Sequence, residues 1–272
     1  MGSITRLTLL TFLGVFLSRP MAGQTKSFEV MEAKADSQCR NGQWEVAAEA
    51  YQKLIQLDPN TARYHYKLGG VIGKMAQEAN VFKAMSLVDD AKKSLTRALE
   101  LRPDYLEVFW AQTELYTQLP GILGGGKSTA LTYANKVSNL NPAIGSLAQS
   151  RVFHYFEDFD QRNKANAAAL SLPTTWCSGQ KCTHSNEVHF AFGLAAFQNK
   201  KEQEQGIVFL KRYCKDFSAV DQQALEQAYY LIAQLSFQRE DFAQAKTYIN
   251  LALSKQPKWR EALLLKQQID SK

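Results

Sequence analysis

The chain has 272 residues, 45% of them hydrophobic, and a net charge of +6. That apolar content supports a packed core, either as one or two ordinary domains or as an array of about six repeats. The charge is mild and has no long run of one sign, so nothing in it points to a nucleic-acid partner.

The N-terminus reads as a targeting segment. Arg6 gives a short positive region, Leu7 to Leu17 is an apolar stretch of 11 residues, and Ser18 to Gly23 supplies a proline turn and small residues. A stretch of that length suits a secretory signal peptide and is too short to span a bilayer, which takes about 20 residues. Gln24 is the expected first residue after cleavage. Removing residues 1–23 leaves 30 basic against 26 acidic side chains. The mature chain is expected to be exported, to the periplasm or outside the cell, with no integral membrane segment.

Beyond it, a proline returns with an alanine twelve residues before it: Ala47 and Pro59, Ala91 and Pro103, Ala130 and Pro142, Ala245 and Pro257. Eight residues before each proline stand Tyr51, Leu95, Ala134 and Ile249. Five before it stand Leu54, Ala98, Val137 and Ala252. Spacings of four and three put these positions on one helical face. The alanine is small where another helix crosses closely, and the proline ends the helix because it lacks an N–H. A second amphipathic stretch precedes each such helix, as in His65, Leu68, Gly69 and Ile72. Polar turns such as Asn41-Gly42-Gln43 join the two.

This unit resembles the tetratricopeptide repeat (TPR). Leu68-Gly69, Gly42 with Trp44, and Ala47 with Tyr51 stand where that family's pattern asks for them. The resemblance implies an all-α, right-handed solenoid of about six helix-turn-helix units with a terminal capping helix. The proline spacings of 44 and 39 residues imply insertions relative to the family's period. Met75 to Val88 has no glycine or proline and is expected to lengthen helices. The 115 residues between Pro142 and Pro257 hold about three units with decayed signatures, and Trp259 to Ile269 reads as the cap. The chain is expected to divide into residues 1–23, residues 24–142 with the insertions, residues 143–218 with a cysteine-bearing irregular segment, and residues 219–272.

Gly121 to Ser128 matches the G-x-x-x-x-G-K-S phosphate-binding pattern. Such a loop needs a preceding strand, and the segment before it is helical in period. The glycines are therefore expected to form an enlarged inter-helix turn, with Lys127 at the position of Trp44. Nucleotide or small-ligand binding at this loop stands as an alternative.

Cys177 and Cys182 flank a short polar stretch in the irregular segment and are a candidate disulfide in an exported chain. A metal site from Cys177, Cys182, His184 and His189 is the other possibility, although the spacing fits no common zinc pattern. Cys39 and Cys214 lie in helical patterns and are expected to pack as small apolar side chains. His65 is expected to pack as well.

No catalytic signature is present, so no enzyme activity, cofactor or metal is expected. The resemblance implies a protein or peptide partner on the concave surface. Mapping the family's groove positions gives Tyr66, Trp110, Glu114, Gln149, Phe153, Tyr230 and Gln234. These are aromatic and polar, with little positive charge, and favour a partner with apolar anchors. The reading is an exported interaction scaffold, with a self-assembling structural subunit as a further alternative.

Overall fold

The computed structural model describes residues 22–174 and 185–272. Most of the targeting segment and the Cys177 and Cys182 pair lie outside those residues. The described residues form thirteen α-helices and no strand. They pair in chain order as hairpins: α1 (Ala22–Arg40) with α2 (Trp44–Leu57), α3 (Ala62–Glu78) with α4 (Val81–Leu101), and α5 (Leu106–Gln118) with α6 (Lys127–Leu140). Then come α7 (Pro142–Tyr155) with α8 (Phe159–Leu170), α9 (Asn186–Asn199) with α10 (Gln203–Asp216), and α11 (Leu225–Gln238) with α12 (Phe242–Lys255). A last helix, α13 (Arg260–Asp270), packs on α12 and α11. The fold is a helical-repeat solenoid of six hairpins and one capping helix.

The recurring spacing is a burial pattern. All twelve positions at twelve, eight and five residues before the prolines are 3% exposed or less. Each large aliphatic or aromatic side chain so buried contributes about 1.5–3 kcal/mol. The helix before each proline ends two residues upstream of it, at Leu57, Leu101, Leu140 and Lys255. The pre-proline residue turns away with φ of −141°, −142°, −148° and −132° in the four cases, because the proline ring excludes helical backbone there. Pro142 differs from the others in one respect. It is the first residue of α7, where its missing N–H would have had no partner anyway.

The insertion in the second hairpin lengthens helices, giving α3 17 residues and α4 21. In the fifth hairpin Gly193 allows α9 and α10 to touch. A Cβ there would lie 2.3 Å from Cγ of Leu210, which is fully buried. At the end of the stack, α13 turns Ala262, Leu265 and Ile269 inward and covers the apolar face that α11 and α12 leave.

The solenoid also closes on itself. The link between α10 and α11, residues 217–224, leaves its own hairpins and crosses to the first three. The Ala219 N–H donates to the Arg40 carbonyl at 3.2 Å. Lys74 on α3 donates to the Asp221 carbonyl, and Gln118 on α5 donates to the Gln222 side chain, each at 3.3 Å. This strap bridges the concave side of the superhelix.

The crossing positions and the glycines predict opposite outcomes. Ala245→Leu overpacks a fully buried crossing and should lower stability by about 1–3 kcal/mol in urea denaturation. Gly70→Ala, on a helical glycine whose Cβ would meet nothing within 4 Å, should raise stability by about 1 kcal/mol. Equal effects at the two sites would contradict the packing.

Candidate functional site

With the strap across it, the concave side is a cavity of about 760 Å³. Its walls come from α1 to α5, the start of α9 and the strap. One wall is nearly bare backbone, because Gly70 and Gly73 on α3 present no side chain and an added Cβ at either would stand in open space. Apolar side chains line the cavity as well, Met85 and Val88 of α4, Leu115 of α5 and Leu119 just after it.

The polar groups gather at the α5, α9 and strap side. Trp110 and Glu114 lie one turn apart on α5 and both line the cavity. Trp110 is 4% exposed and its indole N–H has no hydrogen-bond partner. Arg151 of α7, behind the wall, donates two hydrogen bonds to Glu114, from Nε and, at 2.9 Å, from Nη2. Glu187, in the first turn of α9, accepts the Gln222 N–H of the strap on Oε1. Its Oε2 is buried without a hydrogen bond, and Arg151 Nη2 stands off at 3.8 Å. Burial pushes the Glu187 carboxyl above the usual carboxylate range, and the Arg151 charge offsets this only in part.

Asp221 of the strap accepts hydrogen bonds from the Ser218 N–H at 2.8 Å and from Asn186 at 3.2 Å. Burial raises its carboxyl too, and burial holds Lys74 below the ordinary lysine range. At the opposite end, Lys67 bridges Glu32 and Asp36, while Arg63 also holds Glu32. Burial would raise Glu32, but these hydrogen bonds outweigh it and keep the carboxyl below its usual range.

Of the seven groove positions expected from the sequence, the structure brings Tyr66, Trp110 and Glu114 together on the cavity wall. Tyr66 packs against Tyr105, with ring centroids 5.2 Å apart. The other four sit elsewhere. Gln149 donates to Asn135 at 2.7 Å, Phe153 lies 5.3 Å under Lys127 Nζ, Tyr230 packs on Trp259, and Gln234 is half-buried on α11. Sequence reasoning passed over Arg151, Glu187, Lys74 and Asp221. Glu187 did carry a signal, as a carboxylate at the head of the almost wholly apolar helix EVHFAFGLAAF.

The glycine loop has no vacant phosphate cradle. Helix α5 precedes it, and Gly121–Leu123 form one 3₁₀ turn. The N–H groups of Gly124, Gly125 and Gly126 donate to the carbonyls of Gly121, Pro120 and Tyr116. Lys127 opens α6 and donates to Asp158 at 2.7 Å. Gly125 fits where it does because a Cβ would fall 1.9 Å from the Leu119 carbonyl oxygen.

His65, His189, Cys39 and Cys214 are packed. The ring Nε2 of His65 lies 2.9 Å from the Pro59 carbonyl, and buried His189 stacks on Phe209. Cys39 is buried beside the Tyr51 hydroxyl, and burial pushes the Cys214 thiol up to about 12. Among the described residues no group of His, Cys, Asp and Glu is arranged to hold a metal ion.

A family profile described as "TPR repeat" matches residues 35–75, and one described as "Tetratricopeptide repeat" matches residues 226–258. Among solved structures, the chain resembles one in the APC/C hetero-tetramer Cut9–Hcn1, at 13% identity over 91% of this chain and 46% of that one, with a TM-score of 0.52. It is also similar to PilF of Pseudomonas aeruginosa, at 14% identity over 92% and 99% of the two chains, with a TM-score of 0.49. No curated protein matches the chain in sequence. At such identities the structural likeness is one of fold.

Glu187 predicts a pH-dependent trade. A carboxyl raised in the fold is harder to ionise there than in the unfolded chain, so it lowers stability as pH rises from the unfolded value through the folded one. Glu187→Gln keeps the acceptor for Gln222 and removes that charge. Urea denaturation should find the variant's advantage over wild type larger at pH 8 than at pH 4. An advantage that shrinks or reverses with rising pH would contradict the burial of an uncompensated carboxylate.

Proposed function

This chain belongs to the tetratricopeptide-repeat proteins, and from that premise we propose that it is an exported scaffold that seats a peptide segment of a protein partner in its internal cavity. Stacked helical hairpins of this kind serve generally as protein-interaction scaffolds, and their concave surface is the extended binding face. One observation carries the finer reading. Trp110 and Glu187 both line the cavity, and each keeps one buried polar atom without a hydrogen-bond partner, Nε1 and Oε2. Buried polar groups are nearly always paired, and two such residues in the wall of a largely apolar cavity favour a binding role for it.

The rim supports the same reading. Val81 and Met85 line the mouth, and Phe82 beside them is 88% exposed. Large apolar side chains left in water at a cavity entrance suit a partner that continues over the edge. Export rests on residues 1–23. Among the described residues no helix is long and apolar enough to cross a membrane. The nucleotide alternative has less behind it, since the loop's glycine amides and Lys127 already have partners within the chain.

Two measurements test the proposal. The intact mass of the exported protein should correspond to a start at Gln24, and a chain retaining residues 1–23 in the cytosol would contradict export. Gly73→Leu fills the cavity from a helix that has room for the side chain. It should fold at least as stably as wild type, by about 1 kcal/mol, and recover partners from an envelope fraction at least about tenfold less well. Unchanged recovery would place the partner outside the cavity.

A further inference from the structure

The cavity's charge is opposite to that of the chain. The protein as a whole is basic, at +6, yet five carboxylates against three cations line the cavity. The cations are largely engaged. Lys67 is held by Glu32 and Asp36, and Lys74 donates to the Asp221 carbonyl. Behind the wall Arg151 gives both of its close hydrogen bonds to Glu114. Glu187 is left 5% exposed with no cation in hydrogen-bond reach, and Asp221 is met by neutral donors from Ser218 and Asn186. A buried carboxylate is costly unless a counter-charge enters or it takes up a proton.

The rest of the lining fixes the occupant's other features. The bare α3 backbone at Gly70 and Gly73 lets a chain approach closely, and Met85, Val88, Leu115 and Leu119 offer apolar contact. A volume of about 760 Å³ suits a short segment with few polar groups.

We infer that the occupant is a short apolar peptide segment carrying one ammonium or guanidinium group, with that cation drawn to the acidic side of the cavity formed by Glu187, Asp216 and Asp221. This rests on the cavity being the partner site. The cation supplies the counter-charge that Arg151, shared with Glu114, does not. Burial raises the carboxyls of Glu187 and Asp221, and an arriving cation pulls them back toward the usual carboxylate range. Lys74, Glu114 and Asp216 in the lining, and Arg151 behind it, are the other charged groups that act on Glu187 and Asp221.

The test is selection from a synthetic heptapeptide library randomised at every position, retained on immobilised wild type, Glu187→Gln and Gly73→Leu and sequenced by mass spectrometry. Wild type should enrich apolar residues, and should favour lysine plus arginine over aspartate plus glutamate by about tenfold, the discrimination of one charge-assisted hydrogen bond. Glu187→Gln should keep the apolar enrichment and lose the basic one. Apolar enrichment in wild type without a basic preference, or a preference that survives in Glu187→Gln, would overturn the assigned chemistry and leave the cavity as the partner site. Retention by wild type no greater than by Gly73→Leu would overturn the cavity reading and this inference together. The wild-type ratio of basic to acidic residues decides the question even if a variant fails to fold.

Discussion

Everything proposed for the concave face depends on a few hydrogen bonds made by one eight-residue link. An open helical array would leave Glu187 without the Gln222 N–H and closer to water, where a carboxylate costs little. Residues 217–224 change that by meeting Arg40, Lys74 and Gln118, which lie in the first three hairpins. Closure lowers the dielectric around Glu187, whose second oxygen is left without a hydrogen bond. The strap is tied down at its own base as well, through Asp221 to Ser218 and Asn186 and through Gln222 to Glu187. Glu187 therefore belongs both to the closure and to the proposed binding chemistry, and an occupant that engages it is expected to alter the strap's hold.

The hairpins were legible in the sequence because each repeats one packing demand. A small residue at the crossing, a large one a turn later and a proline to end the helix are local requirements, and all twelve diagnosed positions are buried. The fifth hairpin obeys the same spacing without the proline. Gly206, Leu210 and Tyr213 are buried twelve, eight and five residues before Ser218, the second residue of the strap. The lost proline and the strap are one event, since the chain here leaves the stack instead of starting the next hairpin. In α8 the spacing is hidden differently. Its central buried position is Asn166, 1% exposed, which pairs with Ser150 and donates to Gln198 at 2.8 Å. A hydrogen-bonded asparagine fills a core position with no apolar signal to find.

The site was only partly legible. Helix faces are set by local periodicity, and the family's groove positions, carried over on that register, include Trp110, Glu114 and Tyr66, which line the cavity. Which helix faces meet across the superhelix depends on contacts between residues about 150 apart, such as Lys74 with Asp221, and no local pattern encodes those. Four of the mapped positions lie on α7 and α11, outside the cavity lining, and Gln149, Phe153 and Tyr230 make other contacts there. The glycine loop shows the same limit in reverse. Its pattern is complete as letters, while its amides serve a turn between α5 and α6.

Closure of the solenoid is the central claim, and a cross-link tests it directly. A Cβ built on Gly42 would lie 3.7 Å from that of Ala219, within the span of a disulfide. With Gly42→Cys and Ala219→Cys introduced together, mild oxidation of the folded protein should join positions 42 and 219 quantitatively, as read by peptide mapping, even though the positive φ of 72° at Gly42 disfavours a side chain there. Thiols that stay free at both positions in the folded protein would mean that the strap does not reach the first hairpin and that the concave face is open.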